Sequence, residues 1–296
     1  MLRVVLREAG RLGLGLLGAL LLAAAMAALA APRAGDGVLA FLIAWGGVLG
    51  AMLHLDFGHS AISGIGVLDE LGGHLPLTLG LVAEGFVMAL AVGVPVGFLF
   101  GAGPARRAAA PLVQFVSAAP IFCAGLALIY LAVDILRWPV PVGSGENAGL
   151  ELMPGSTAEF AAMALPVLMV GLAGAAAAQL ALRRAAAQTV QASWRIQLRR
   201  MGLSAWDIES AYVIPDVLGG LLASLGEVML ALLSAAAVTE WVFNYAGAAD
   251  LFVKSVALRD WSIAAAILFV FAALTMAAHF VGACLAFLFA DPGESR

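Results

Sequence analysis

Charge is scarce in this chain: Asp, Glu, Lys and Arg make up 11% of its 296 residues, against 63% hydrophobic residues. A soluble globule of that length needs far more polar surface to cover its core, so that class is excluded. Cysteine is nearly missing as well. Cys123 and Cys284 both fall inside apolar runs, far from any C-x-x-C pair, which leaves no disulfide framework and makes them small packing residues. No G-x-x-x-x-G-K-[ST] occurs, so a nucleotide-hydrolysing site has to lie on another chain. Gly13 to Gly18 match G-x-G-x-x-G only in letters, because no strand precedes them and they sit inside an apolar helix. A net charge of -4 with pI near 5.5 gives nothing for nucleic-acid phosphates to meet.

What is present is length without charge. The mean hydropathy is +1.03, and six stretches reach the roughly 20 apolar residues that a crossing helix needs. They lie near 12–31, 75–101, 110–136, 159–182, 217–241 and 262–289, which predicts an all-α membrane protein with a single domain over 1–296. Placing Arg3, Arg7, Arg11, Arg106, Arg107, Arg183, Arg184, Arg195, Arg199, Arg200 and Arg296 on one side accounts for 11 of the 15 basic residues. By the positive-inside rule that side, with both termini, is cytoplasmic. The run from Leu12 to Ala31 is longer than a signal-peptide core and reads as an uncleaved first span. Val38–His54, about 17 residues long and broken by glycine, reads as an extracytoplasmic interfacial helix anchored by Trp45, because a seventh crossing would invert every later loop.

Small residues recur within the spans, with Gly93, Gly97 and Gly101 on one face of the second and Gly171, Gly174 and Ala175 to Ala178 in the fourth. Such faces let helices approach closely where lipid supplies no hydrophobic drive. Pro95, Pro120 and Pro166 interrupt the backbone ladder inside or at the ends of spans, as bending helices require. Glu84 and Glu227 are costly in hydrocarbon and call for a partner, a water cavity or the pathway. His54, Asp56, His59 and His74 share one stretch without a ligand spacing, so no metal site is assigned. Ser224, Ser234 and His279 lack the motif context of an intramembrane protease, so the chain reads as no enzyme.

Between the fourth and fifth spans lies a polar island, 183–216, rich in arginine. Gln188 to Arg200 predicts a helix that Gly202 breaks, and Ser204 caps a second short helix carrying Trp206, Ile208, Tyr212 and Ile214. Asp207 and Glu209 suit the positive end of that helix. Apolar and aromatic side chains on a short cytoplasmic helix ask for a partner's groove.

Several runs then carry a resemblance. Asp56-Phe57-Gly58-His59-Ser60, Leu75-Pro76-Leu77-Thr78-Leu79, Val92 to Gly97, Ser117 to Phe122, Thr239-Glu240-Trp241-Val242-Phe243 through Gly247, and Ala257-Leu258-Arg259-Asp260-Trp261 stand in order from Leu53 onward. Together they resemble the permease subunits of binding-protein-dependent ABC transporters, in the dipeptide, oligopeptide and nickel branch. The resemblance implies a type I ABC importer permease fold in the bacterial inner membrane, forming half of a translocation path. It implies a second permease subunit, two ATPase subunits that carry ATP and Mg, and an extracytoplasmic solute-binding protein as partners, with no cofactor on this chain.

In that family the loop corresponding to 183–216 holds the EAA motif, whose short helix docks into the ATPase. Here Trp194, Gly202, Leu203, Ser204, Trp206, Ile208 and Tyr212 occupy it, with Ile196-Gln197-Leu198 where Glu-Ala-Ala would stand and Pro215-Asp216 after the helix. Pathway candidates are Glu84, Pro120, Glu227 and Glu240. A proton-coupled carrier using Glu84 and Glu227 as relays is the rival reading. Solute identity is open.

Overall fold

The computed structural model describes residues 2–29, 37–101, 121–135, 157–190 and 193–287. Nearly all of these are helical. In chain order the helices are α1 Leu2–Ala27, α2 Val38–Leu53, α3 Val67–Gly101, α4 Ile121–Tyr130 running into a π turn Leu131–Ile135, α5 Thr157–Val190 and α6 Ser193–Arg200. They continue with α7 Ala205–Ile208, a π turn Glu209–Val213, α8 Ile214–Ala223, α9 Leu225–Phe243, α10 Ala248–Leu258 and α11 Trp261–Ala286.

Among the described residues five helices are long and apolar enough to cross a membrane, within Val5–Ala27, Val67–Val96, Met163–Thr189, Leu225–Phe243 and Trp261–Ala286. The third expected stretch, 110–136, lies outside the described residues except for 121–135. Helix ends differ from the apolar runs where polar residues can still be helical. α3 starts at Val67 with Asp69 and Glu70 in its first turn, where carboxylates favour the helix dipole. α5 runs on to Val190, so Arg183 and Arg184 stand on the fourth span and not in a loop. The expected fifth run, 217–241, is two helices that meet at Ser224. Its hydroxyl donates to the Gly220 carbonyl at 3.0 Å, a back-bond that competes with the regular ladder.

α3 and α5 form the central pair of the bundle, with α9 packed against both. Small residues make that pairing close. A Cβ at Gly93 would lie 2.9 Å from the Cα and carbonyl oxygen of Ala175, a backbone contact that cannot give way. Gly171 receives Met88, and Gly174 receives Ala89 and Leu232. One buried cluster gathers Leu81, Val170, Leu182, Val217, Leu221 and Leu232 from α3, α5, α8 and α9. A second joins Leu20 and Ala24 of α1 to Met52, Phe57, Val67, Ile263 and Ile267, where α1 lies along α11.

α2 packs chiefly on α1. Its Trp45 indole donates to the Leu21 carbonyl at 3.2 Å, so the residue expected to anchor at the membrane interface ties the two helices together. Val38, Leu39 and Ile43 on α2 are exposed.

Candidate functional site

The segment from α6 to α8 is built by local rules. α6 ends where Gly202 takes a φ of +88°, a left-handed conformation that costs a residue with a Cβ about 1 kcal/mol or more. Around it the amides of Met201, Gly202 and Leu203 bond back to the carbonyls of Gln197, Arg199 and Leu198, which satisfies the helix end. Ser204 then caps α7 as part of a capping box. Its hydroxyl accepts from the Asp207 amide at 3.1 Å, and the Asp207 carboxylate accepts from the Ser204 amide at 3.3 Å. Glu209 falls past α7, at the start of the π turn.

Apolar side chains of this segment divide between two directions. Ile208 is 1% exposed and joins the buried cluster of α3, α5, α8 and α9, against which Leu198 and Leu203 also pack. Trp206 is 74% exposed, and Met201, Ile196 and Tyr212 are exposed beside it. Trp194 lies on α6. The segment is thus rooted in the bundle through Ile208 and presents an apolar outer face.

Two polar contacts fasten its flanks. The Arg184 guanidinium pairs with the Glu227 carboxylate at 2.7 Å, joining α5 to the first turn of α9. Thr189 on α5 hydrogen-bonds Asp216 in the first turn of α8. The Arg184–Glu227 pair is more than half exposed on both sides, so it contributes under about 1 kcal/mol. The buried Thr189 hydroxyl is worth more. Asp216 stands where the resemblance expects a basic-polar pair, and here its partner is the fourth span.

At the opposite end of the bundle, two of the resembling motifs meet. Glu240 is 0% exposed. The Thr78 hydroxyl donates to its Oε1 at 2.6 Å and accepts from the Ala248 amide at 2.7 Å. The Asp250 amide donates to Glu240 Oε2 at 2.8 Å. A buried carboxylate therefore caps the first turn of α10 and binds it to α3, with Gly247 fitting because a Cβ there would lie 2.3 Å from the Glu240 carboxyl carbon. Asp260 does the same for α11. It accepts from Ser60 Oγ at 2.5 Å and the Ala61 amide at 3.0 Å, and it caps Ile263. Sequence reasoning missed Thr78, Ser60 and Asp260 as a set. Their pairing across 162 and 200 positions leaves no local signal.

The pathway candidates thus have different settings. Glu227 is ion-paired and Glu240 caps a helix, whereas Glu84 stands half-buried on α3 with no hydrogen bond or ion pair among the described residues. Pro120 lies outside the described residues.

Comparison with known proteins agrees with this architecture. The chain is similar to the peptide transport system permease protein SapB of Salmonella typhimurium, 24% identical over 80% of this chain and 81% of that one. It is also similar to the putrescine export system permease protein SapB of Escherichia coli, 24% identical over 74% of this chain and 75% of the relative. A third relative is the probable D,D-dipeptide transport system permease protein DdpB of Escherichia coli, 27% identical over 71% and 67%. Residues 73–290 match one family along their whole length. That match takes in the α3–α5–α9 bundle, the 193–213 segment and the Glu240 cap, and it makes this chain a member of the binding-protein-dependent transport system inner membrane component family.

Proposed function

We propose that this chain is a permease subunit of an ATP-driven importer for peptides or a related small solute. It forms one half of the path, with a second permease as the other half. A solute-binding protein delivers on the outer side, and a separate ATPase chain holding ATP and Mg docks on the inner side at Trp194 to Tyr212. Both termini are then cytoplasmic, a reading that the placement of arginine supports. Peptide is the solute class named for two of the relatives, and membership in the family supports the rest.

The single observation that carries the coupling role is the division of side chains around α7. Ile208 is sunk in the core while Trp206, two residues earlier, stands in solvent. A large aromatic on a short, capped and firmly rooted helix has the makeup of an interface anchor. The test is Trp206→Asp. A charge taken into a desolvated groove costs about 3–5 kcal/mol, roughly a 10²- to 10⁴-fold loss of affinity. Ile208 and the capping box are untouched, so the permease should insert and fold. The ATPase should no longer co-purify, and transport-coupled ATP hydrolysis should vanish, with Trp206→Phe retaining both. Unchanged co-purification in Trp206→Asp refutes the docking site. Solute uptake by this chain alone, driven by an ion gradient without ATP, refutes the importer reading altogether.

A further inference from the structure

We infer that the α3 face carrying Gly80, Ala83, Glu84 and Val87 lines the translocation path, and that Glu84 receives a protonated amino group of the solute. This rests on the permease reading above and names the solute chemistry for it.

Depth comes first. Glu84 is nine residues beyond Leu75, where the apolar run begins, and at about 1.5 Å per residue that is ~13 Å into a hydrocarbon core about 30 Å thick. An acid at mid-depth is expensive and needs a partner or water. Three other acids on spanning helices have partners. Glu8 is held by Arg7 and Arg11, Glu227 by Arg184, and Glu240 by Thr78 and the start of α10. Glu84 has none among the described residues.

Its surroundings are open on one side. Positions 80, 83, 84 and 87 share one helical face by their spacing of three and four. A Cβ added at Gly80 would meet nothing within 4 Å, and Ala83 and Val87 are exposed. Away from that face Gly85 and Gly93 are pressed against α5, so helix packing accounts for those glycines and not for Gly80. Glu84 itself is half-buried. Burial, then the negative charges of Glu240 and Glu84, push the Tyr245 phenol in the α9–α10 turn up to about 12. Glu84 is therefore within electrostatic reach of a buried loop residue.

A carboxylate with no partner among the described residues, beside small side chains, accepts hydrogen bonds from a compact ammonium and repels anions. The free amino terminus of a peptide and a polyamine both supply that group. Acylated amines do not.

The test uses the full permease complex with Cys123 and Cys284 replaced by Ser and with Ala83→Cys as reporter. A membrane-impermeant thiol reagent should modify the introduced thiol, since a lipid-facing thiol stays unreactive. Dialanine or putrescine should slow the modification, and N-acetyl-dialanine should not. Protection by dialanine alone assigns the peptide amino terminus, and protection by putrescine alone assigns a polyamine. Glu84→Gln should raise the half-protecting concentration about tenfold or more, the worth of one charge-assisted contact, while Glu84→Asp should restore most of it. No modification in the assembled complex, equal protection by the acetylated probe, or protection unaffected by Glu84→Gln overturns the inference. A chain that does not assemble with an ATPase refutes the permease reading instead, and co-purification measured on the same sample separates the two.

Discussion

Replacing Thr78 by valine removes one hydroxyl and almost no volume, and it tests whether the Glu240 network holds α3, α9 and α10 together. In the structure that hydroxyl donates to Glu240 Oε1 at 2.6 Å and accepts from the Ala248 amide at 2.7 Å. All three groups are buried, so Thr78→Val strands an amide and half of a carboxylate where water does not reach. An orphaned buried group costs about 1–3 kcal/mol and a charged one more, which gives roughly 2–5 kcal/mol in total. For a chain of this size that is about 4–20 °C in Tm at ~2–4 °C per kcal/mol. Purified protein in nanodiscs, heated and followed by loss of monodisperse protein, reads the shift at one fixed scan rate. Thr78→Ser keeps the hydroxyl and should lose little. Thr78→Val and Glu240→Gln should be non-additive, because each breaks the same contact. A wild-type Tm for Thr78→Val, or strictly additive losses in the double variant, refutes the network as a source of stability.

Ser60→Ala removes the donor to Asp260 Oδ2 and the acceptor for the Ile62 and Ser63 amides; faster hydrogen exchange confined to 56–66 is expected, and unchanged protection there counts against a rigid loop. Gly93→Leu drives a Cβ to 2.9 Å from the Ala175 backbone, so folded, monodisperse protein should be lost on detergent extraction, whereas Gly72→Ala, with nothing within 4 Å, should be tolerated. Recovery of well-folded Gly93→Leu protein shows that the α3–α5 seam is looser than described.

Much of this architecture was legible in the sequence because its causes are local or periodic. Apolar runs fix where helices cross, and the four-residue recurrence of Gly93, Gly97 and Gly101, with small residues at Gly171 and Gly174, predicts a close seam before any partner is known. The cap at Ser204 and the break at Gly202 were equally readable, since each depends on residues within one turn. Three features were not. The break at Ser224 has no proline or glycine at the position itself, only a back-bonded hydroxyl. The π turn Glu209–Val213 leaves no pattern in a five-residue window. Burial of Ile208 beside exposure of Trp206 depends on Leu198, Leu203 and the core they share with Leu232. Sequence spacing showed that this helix has apolar side chains to bury, but not that its own bundle takes some of them.

A partner gripping Trp206 pulls on α7, and α7 is joined to the bundle by Ile208 inside the same packed cluster that holds Leu81 of α3, Val170 of α5 and Leu232 of α9. Close-packed side chains transmit a displacement because they have no free volume in which to absorb it. Gly202 and the Ser204 box fix the angle between α6 and α7, and Thr189–Asp216 and Arg184–Glu227 fix the two ends of the segment on α5, α8 and α9. At the far end Glu240 binds α3 to α10, and Asp260 binds the 56–66 loop to α11. Under the docking proposed above, a pull at Trp206 would be borne by α3, α5 and α9 together, and the face of α3 that carries Glu84 would move with it. If Ile208→Ala, which empties the root without touching Trp206, leaves the ATPase bound but slows solute-coupled hydrolysis, the root is the transmitting contact; if coupling is untouched, force must pass through the flanking ion pair and hydrogen bond instead.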